Sequence, residues 1–133
     1  MLKNIPSVLS PDLLKILAEM GHGDEIVIAD SNFPAASIAR HTTSRKLIRL
    51  DGHSVPAVLK AILKVFPLDQ YVKKPAVLMQ VDPGDTVKTP IWDQYRKIVK
   101  ASGEPLDDFE LMEHLAFNER AKNSNFYCGD AGY

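Results

Sequence analysis

The chain has very little to cross-link itself with. A single cysteine in 133 residues, Cys128, excludes an intramolecular disulfide and a thiolate cluster for zinc, and it fits a reducing compartment. No run approaches the roughly 18 consecutive apolar residues a spanning helix needs, and the first residues lack the charged, apolar and small-residue succession of a secretory signal. A membrane is therefore not an expected partner, and the expected compartment is the cytoplasm. An excess of one charge is also missing: 16 basic against 17 acidic side chains leave a net −1, so no surplus exists to neutralise a phosphate backbone and no nucleic-acid partner is expected. Nor is there a Walker A loop, a G-x-G-x-x-G after a strand, a G-x-S-x-G elbow or an H-E-x-x-H helix. The usual signals for nucleotide hydrolysis, dinucleotide binding, acyl transfer and zinc-dependent hydrolysis are thereby removed.

What is present describes one folded unit. With 45% apolar and 25% charged residues and no internal repeat, residues 1–133 read as a single globular domain. Ser10 can cap a helix with Pro11 in its first turn and Leu13, Leu14, Ile16, Leu17 and Met20 as its apolar stripe, ending at Gly21. The β-branched run over residues 25–30 reads as a strand buried on both faces, with Asp30 at its carboxyl end. Residues 31–45 lack periodicity and read as a loop. A second strand is expected over residues 46–50, then a helix opened by Ser54 and Pro56 and closed by Pro67. A third strand is expected over residues 75–81, a helix from Thr89-Pro90 to Gly103, a strand over residues 109–113 and a short helix over residues 117–122. Alternating helices and strands imply an α/β fold, a single layered domain with a mainly parallel sheet flanked by helices.

His22 stands out for chemistry. It lies between Gly21 and Gly23, after a helix end and before a buried run, on backbone that can approach a ligand closely. Histidine is the side-chain type suited to giving and taking a proton near neutral pH, which general acid or base catalysis requires. From spacing alone, a plain turn histidine that caps the helix carboxyl end through Gly21 is the favoured reading. Asp24 and Glu25 read as a solvated turn and an edge charge. Asp30 occupies the strand end where open α/β sheets gather their ligands. His22, Asp24 and Glu25 are possible metal ligands close in sequence, but nothing fixes a coordination geometry, so no metal is expected.

Several segments carry a resemblance. Ile5-Pro6, Leu9-Ser10-Pro11-Asp12-Leu13-Leu14, Ala18-Glu19-Met20-Gly21-His22-Gly23-Asp24-Glu25-Ile26, Ala29-Asp30, Asn32-Phe33-Pro34-Ala35, Ile48-Arg49-Leu50-Asp51-Gly52, Pro67-Leu68-Asp69-Gln70-Tyr71-Val72, Thr89-Pro90-Ile91-Trp92 and Phe117-Asn118-Glu119-Arg120-Ala121-Lys122 together resemble the fucose mutarotase branch of the RbsD/FucU family of sugar mutarotases. The resemblance covers about residues 4–122. It implies an RbsD-like fold and an isomerase that interconverts the α and β anomers of L-fucose, with no metal or organic cofactor. It further implies His22 as the catalytic proton donor, Asp30 and Asp69 as sugar-binding carboxylates, Met79 as a lesser pocket contact, and a homo-oligomer whose sites lie between subunits.

The chain departs from the family pattern at three places. His114 stands where the fucose branch usually has arginine and matches the histidine of the ribose-type branch. Asn118 stands where the family has tyrosine. Both are expected at the sugar-binding rim. From about residue 123 the sequence diverges from the family's closing strand and Tyr-Gly-Asn motif. The leading expectation is an L-fucose mutarotase-like isomerase. The alternatives are a noncatalytic sugar-binding or assembly subunit, and an isomerase of ribose pyranose and furanose forms.

Overall fold

A computed structural model of the chain describes residues 2–29, 35–42, 45, 47–50, 52–85, 89–106 and 108–124. Its elements run α1 (Pro11–Glu19), α2 (Ala35–Ala39), α3 (Val55–Val65), β1 (Val77–Met79), α4 (Ile91–Ser102), β2 (Glu110–Met112) and α5 (His114–Ala121). Two of the helices start where a serine can hold them. The Ser10 hydroxyl accepts the Leu13 N–H at 3.2 Å, and the Ser54 hydroxyl accepts the Ala57 N–H at 3.3 Å, each with proline in the first turn. α4 stops at Gly103, whose φ of 81° is the left-handed conformation that costs a glycine no Cβ clash.

β1 and β2 pair in parallel, Val77 opposite Glu110, Leu78 opposite Leu111 and Met79 opposite Met112. Parallel neighbours need a crossover, and α4 supplies it between them. α4 also packs on α3.

Residues 25–29 and 47–50 lie outside β1 and β2, yet they behave as extended chain. Ile26 and Ile28 pack into a core built from Leu13, Ile16 and Leu17 of α1 and Val58, Ala61 and Ile62 of α3. Val27 and Ala29 point the other way, into a second core with Ile38 and Ala39 of α2 and Phe117 and Ala121 of α5. Leu47 joins the second core, while Ile48 and Leu50 join the first. This two-residue alternation is that of a strand buried on both faces. The domain is thus layered, with helices on either side of a central extended layer.

Several boundaries differ from the sequence expectation: β1 and β2 are shorter than the expected strands of residues 75–81 and 109–113, and three helices depart from it. α2 falls inside the expected loop of residues 31–45. Its Ala-Ala-Ser-Ile-Ala run favours helix but is too short to display a 3.6-residue period. α5 begins at His114, three residues before the expected start, because the Glu113 carboxylate accepts the N–H groups of both Leu115 and Ala116 at 3.0 Å. The first turn of α4 is capped by no side chain, and Pro90 rather than Thr89 holds its cap position.

Leu13 is fully buried, whereas Leu115 is 67% exposed. Leu13→Ala should therefore cost about 2–5 kcal/mol in urea unfolding, and Leu115→Ala less than about 0.5 kcal/mol. Equal losses would contradict this placement of the core.

Candidate active site

The site begins where α1 ends. Met20 leaves the helix in an extended conformation while its N–H still reaches the Ile16 carbonyl. The next residues then close on themselves: the Asp24 N–H donates to the Gly21 carbonyl at 3.1 Å, and the Asp24 carboxylate accepts the Gly21 N–H at 2.8 Å. Gly23 completes the turn at a φ of 84°, a value side chains rarely tolerate. His22 sits at the tip with its side chain 73% exposed. Asp24 therefore has the turn role read from the sequence.

A second segment fixes the imidazole. After α3, whose C-cap is Phe66, Pro67 and Leu68 lead to Asp69. The Asp69 carboxylate accepts the Gly23 N–H at 2.8 Å and the Tyr71 N–H at 3.0 Å, and lies 3.0 Å from His22 Nδ1. Those backbone donors, Tyr71 first and Gly23 next, hold the carboxyl below its ordinary pKa, with a smaller contribution from His22. An ionised carboxylate can only accept. The proton in the Asp69–His22 bond therefore belongs to Nδ1, which in the neutral ring leaves Nε2 as the nitrogen with an open lone pair. The Tyr71 ring meets the imidazole edge to face, with centroids 4.4 Å apart and planes at 70°, a second constraint on the ring's orientation.

His22, Asp69 and Met79 all line one open cleft of about 990 Å³, with Trp92, Tyr95 and Phe117 among its aromatic walls. These three of the expected site residues are brought together. Asp30 lies outside the described residues. His114 and Asn118 are not among the residues lining this cleft. His114 Nδ1 is 3.8 Å from an Asp82 carboxylate oxygen, and the Asn118 Oδ1 is buried with no hydrogen-bond partner. Among the described residues no three His, Cys, Asp or Glu side chains converge as metal ligands, and no helix is long and apolar enough to cross a membrane.

Sequence reading passed over two participants. Tyr71 was legible in principle, since an aspartate commonly accepts the N–H two residues on. The ion pair of Glu25 with Arg120 joins residues 95 positions apart, and no local pattern announces it.

An α/β domain whose partly apolar cleft carries one exposed imidazole, tied through Nδ1 to an ionised carboxylate, is equipped for proton transfer on a small ligand. The pattern of the RbsD / FucU transport protein family matches residues 3–128, and the chain belongs to that family. It is 49% identical to the fucose mutarotase of Danio rerio over 126 residues, 92% of this chain and 80% of that protein. Among solved structures, FucU from Bifidobacterium longum is similar at a TM-score of 0.90 and 49% identity, covering 98% of this chain and 91% of that one. The fucose mutarotase from Streptococcus pneumoniae, solved in complex with L-fucose, is similar at 0.87 and 43% identity, covering 98% and 89%.

The pH behaviour of the site follows from Asp69. Its pKa is depressed in the folded chain, so its contribution is present above the unfolded value of about 3.9 and is lost only as pH falls through the lower folded value. The Asp69 side-chain ¹³C titration should have a midpoint below about 3.9. It should stay depressed in His22→Ala, because backbone N–H groups dominate the shift. A return to the ordinary value in that variant would give the histidine the main role instead.

Proposed function

We propose that the chain is an L-fucose mutarotase, an isomerase that interconverts the α and β anomers by opening and reclosing the sugar ring. The observation that carries this reading is the Asp69-anchored imidazole of His22 facing the cleft, in a member of a family whose relatives at this identity are fucose mutarotases.

Ring opening needs one proton delivered and one removed. His22, in its imidazolium form, gives the Nε2 proton to the ring oxygen as the bond from C1 to that oxygen breaks. The anomeric hydroxyl loses its proton to water or a carboxylate, and C1 becomes the aldehyde carbon. Rotation about the C1–C2 bond presents the other carbonyl face, and the same transfers in reverse close the ring. No group beyond proton donors and acceptors is required. One positioned acid or base typically gives about 10²–10⁴-fold, a useful margin over slow spontaneous mutarotation.

Asp69 serves this chemistry by orienting the imidazole, while keeping acceptor capacity for a sugar hydroxyl. Met79 supplies apolar contact in the cleft, and Asp30 is assigned hydroxyl binding from the family resemblance. His114 and Asn118 are assigned to a sugar rim completed across a subunit boundary, in a homo-oligomer of this single domain in the cytoplasm. Leu111 and Leu115, 47% and 67% exposed beside His114, offer apolar surface for that contact.

Exchange NMR on the anomers of L-fucose tests the reading. The chain should accelerate exchange, and His22→Ala should abolish at least about 90% of the added rate. Asp69→Asn should lower the rate while leaving the fold intact. Sugar binding without any added exchange would make the chain a noncatalytic binding subunit. Faster exchange of D-ribose than of L-fucose would place His114 in control of substrate class.

A further inference from the structure

Arg120 links three chain segments at the cleft. Its Nε donates to both carboxylate oxygens of Glu25, at 3.0 and 2.8 Å, and its Nη1 donates to Glu110 at 3.3 Å. Glu25 directly follows the turn that carries His22, Glu110 opens β2, and Arg120 rides in the last turn of α5. Both Arg120 and Glu25 line the same cleft as His22. The side chains are only part-buried, at 38%, 43% and 41% exposure. Ion pairs so exposed add little to global stability, so their consequence must be sought in geometry.

That geometry is specific. A guanidinium is a planar fork whose donors hold two acids in a fixed relation, which an ammonium cannot do. Glu25 is two residues from Gly23, whose N–H is one of the three groups held by Asp69. Displacing Glu25 shifts that N–H and the imidazole one residue before it. We propose that Arg120 is a positioning residue: through Glu25 and Glu110 it holds the His22 turn in register with Asp69, without itself transferring a proton. The consequence for catalysis rests on the mutarotase reading above, whereas the structural clamp does not.

The test uses the full chain and the variants Arg120→Gln, Arg120→Lys and Glu25→Gln, read by L-fucose exchange NMR and by hydrogen exchange at the Gly23 amide. Arg120→Gln should lower kcat about 10- to 100-fold, the cost of misplacing a reacting group by about an ångström, with KM changed less than about threefold. The Gly23 amide should exchange at least about fivefold faster. Arg120→Lys should recover only part of either effect, and Glu25→Gln should reproduce the loss in milder form. A rise in KM with kcat unchanged would make Arg120 a direct sugar contact and overturn the proposal, as would unchanged Gly23 exchange in a folded variant. Should the unaltered chain itself show no anomer exchange, the functional reading fails, and the Gly23 amide alone still decides whether the clamp exists.

Discussion

The carboxylate of Asp69 ties together two segments whose residues stand 47 positions apart in the sequence. One is the glycine-flanked turn leaving α1, and the other is the loop leaving α3. Its oxygens take the Gly23 N–H, the Tyr71 N–H and the His22 ring within 3.0 Å. The two backbone bonds further favour its ionised form, and an ionised acceptor dictates which imidazole nitrogen carries hydrogen. The Asp69 carboxylate thus fixes the Nδ1 side of the His22 ring. Without that carboxylate, a side chain as exposed as His22 would sample many orientations and hold a reacting proton in none of them.

The layers make this contact possible. α1 and α3 contribute to one core on one face of the extended segment of residues 25–29. The loops that follow them bring His22 and Asp69 together across 47 positions of sequence. On the opposite face α2 and α5 fill the second core and deliver Arg120 to the same cleft. The helices that build the hydrophobic interior also aim the polar groups, which ties stability and chemistry to the same packing.

Much of this was legible in the residues. Ser10-Pro11 and Ser54 with Pro56 announce their helices because capping is local chemistry, and the paired apolar burial of residues 25–29 follows from a β-branched run. His22 was conspicuous through its flanking glycines. The pairing of Asp69 with His22 was not, since it joins residues 47 positions apart on loops that follow two helices sharing one core, and the resemblance assigned Asp69 to sugar rather than to the imidazole. Tyr71 and Arg120 were missed for the same reason, as their partners are set by tertiary placement. α2 escaped because five residues cannot show a helical period. His114 and Asn118 sit in α5 as family positions, yet they lie outside the cleft lined by the chain's own His22.

The most direct measurement is the ¹⁵N shifts of the His22 ring in the free chain, recorded by long-range ¹H–¹⁵N correlation above the imidazole titration. The expected result is a protonated-type Nδ1 and an unprotonated-type Nε2, with the pattern weakened in Asp69→Asn. A neutral ring protonated at Nε2, or averaging freely between the two forms, would contradict the assignment of Asp69 as the group that readies His22 for proton transfer.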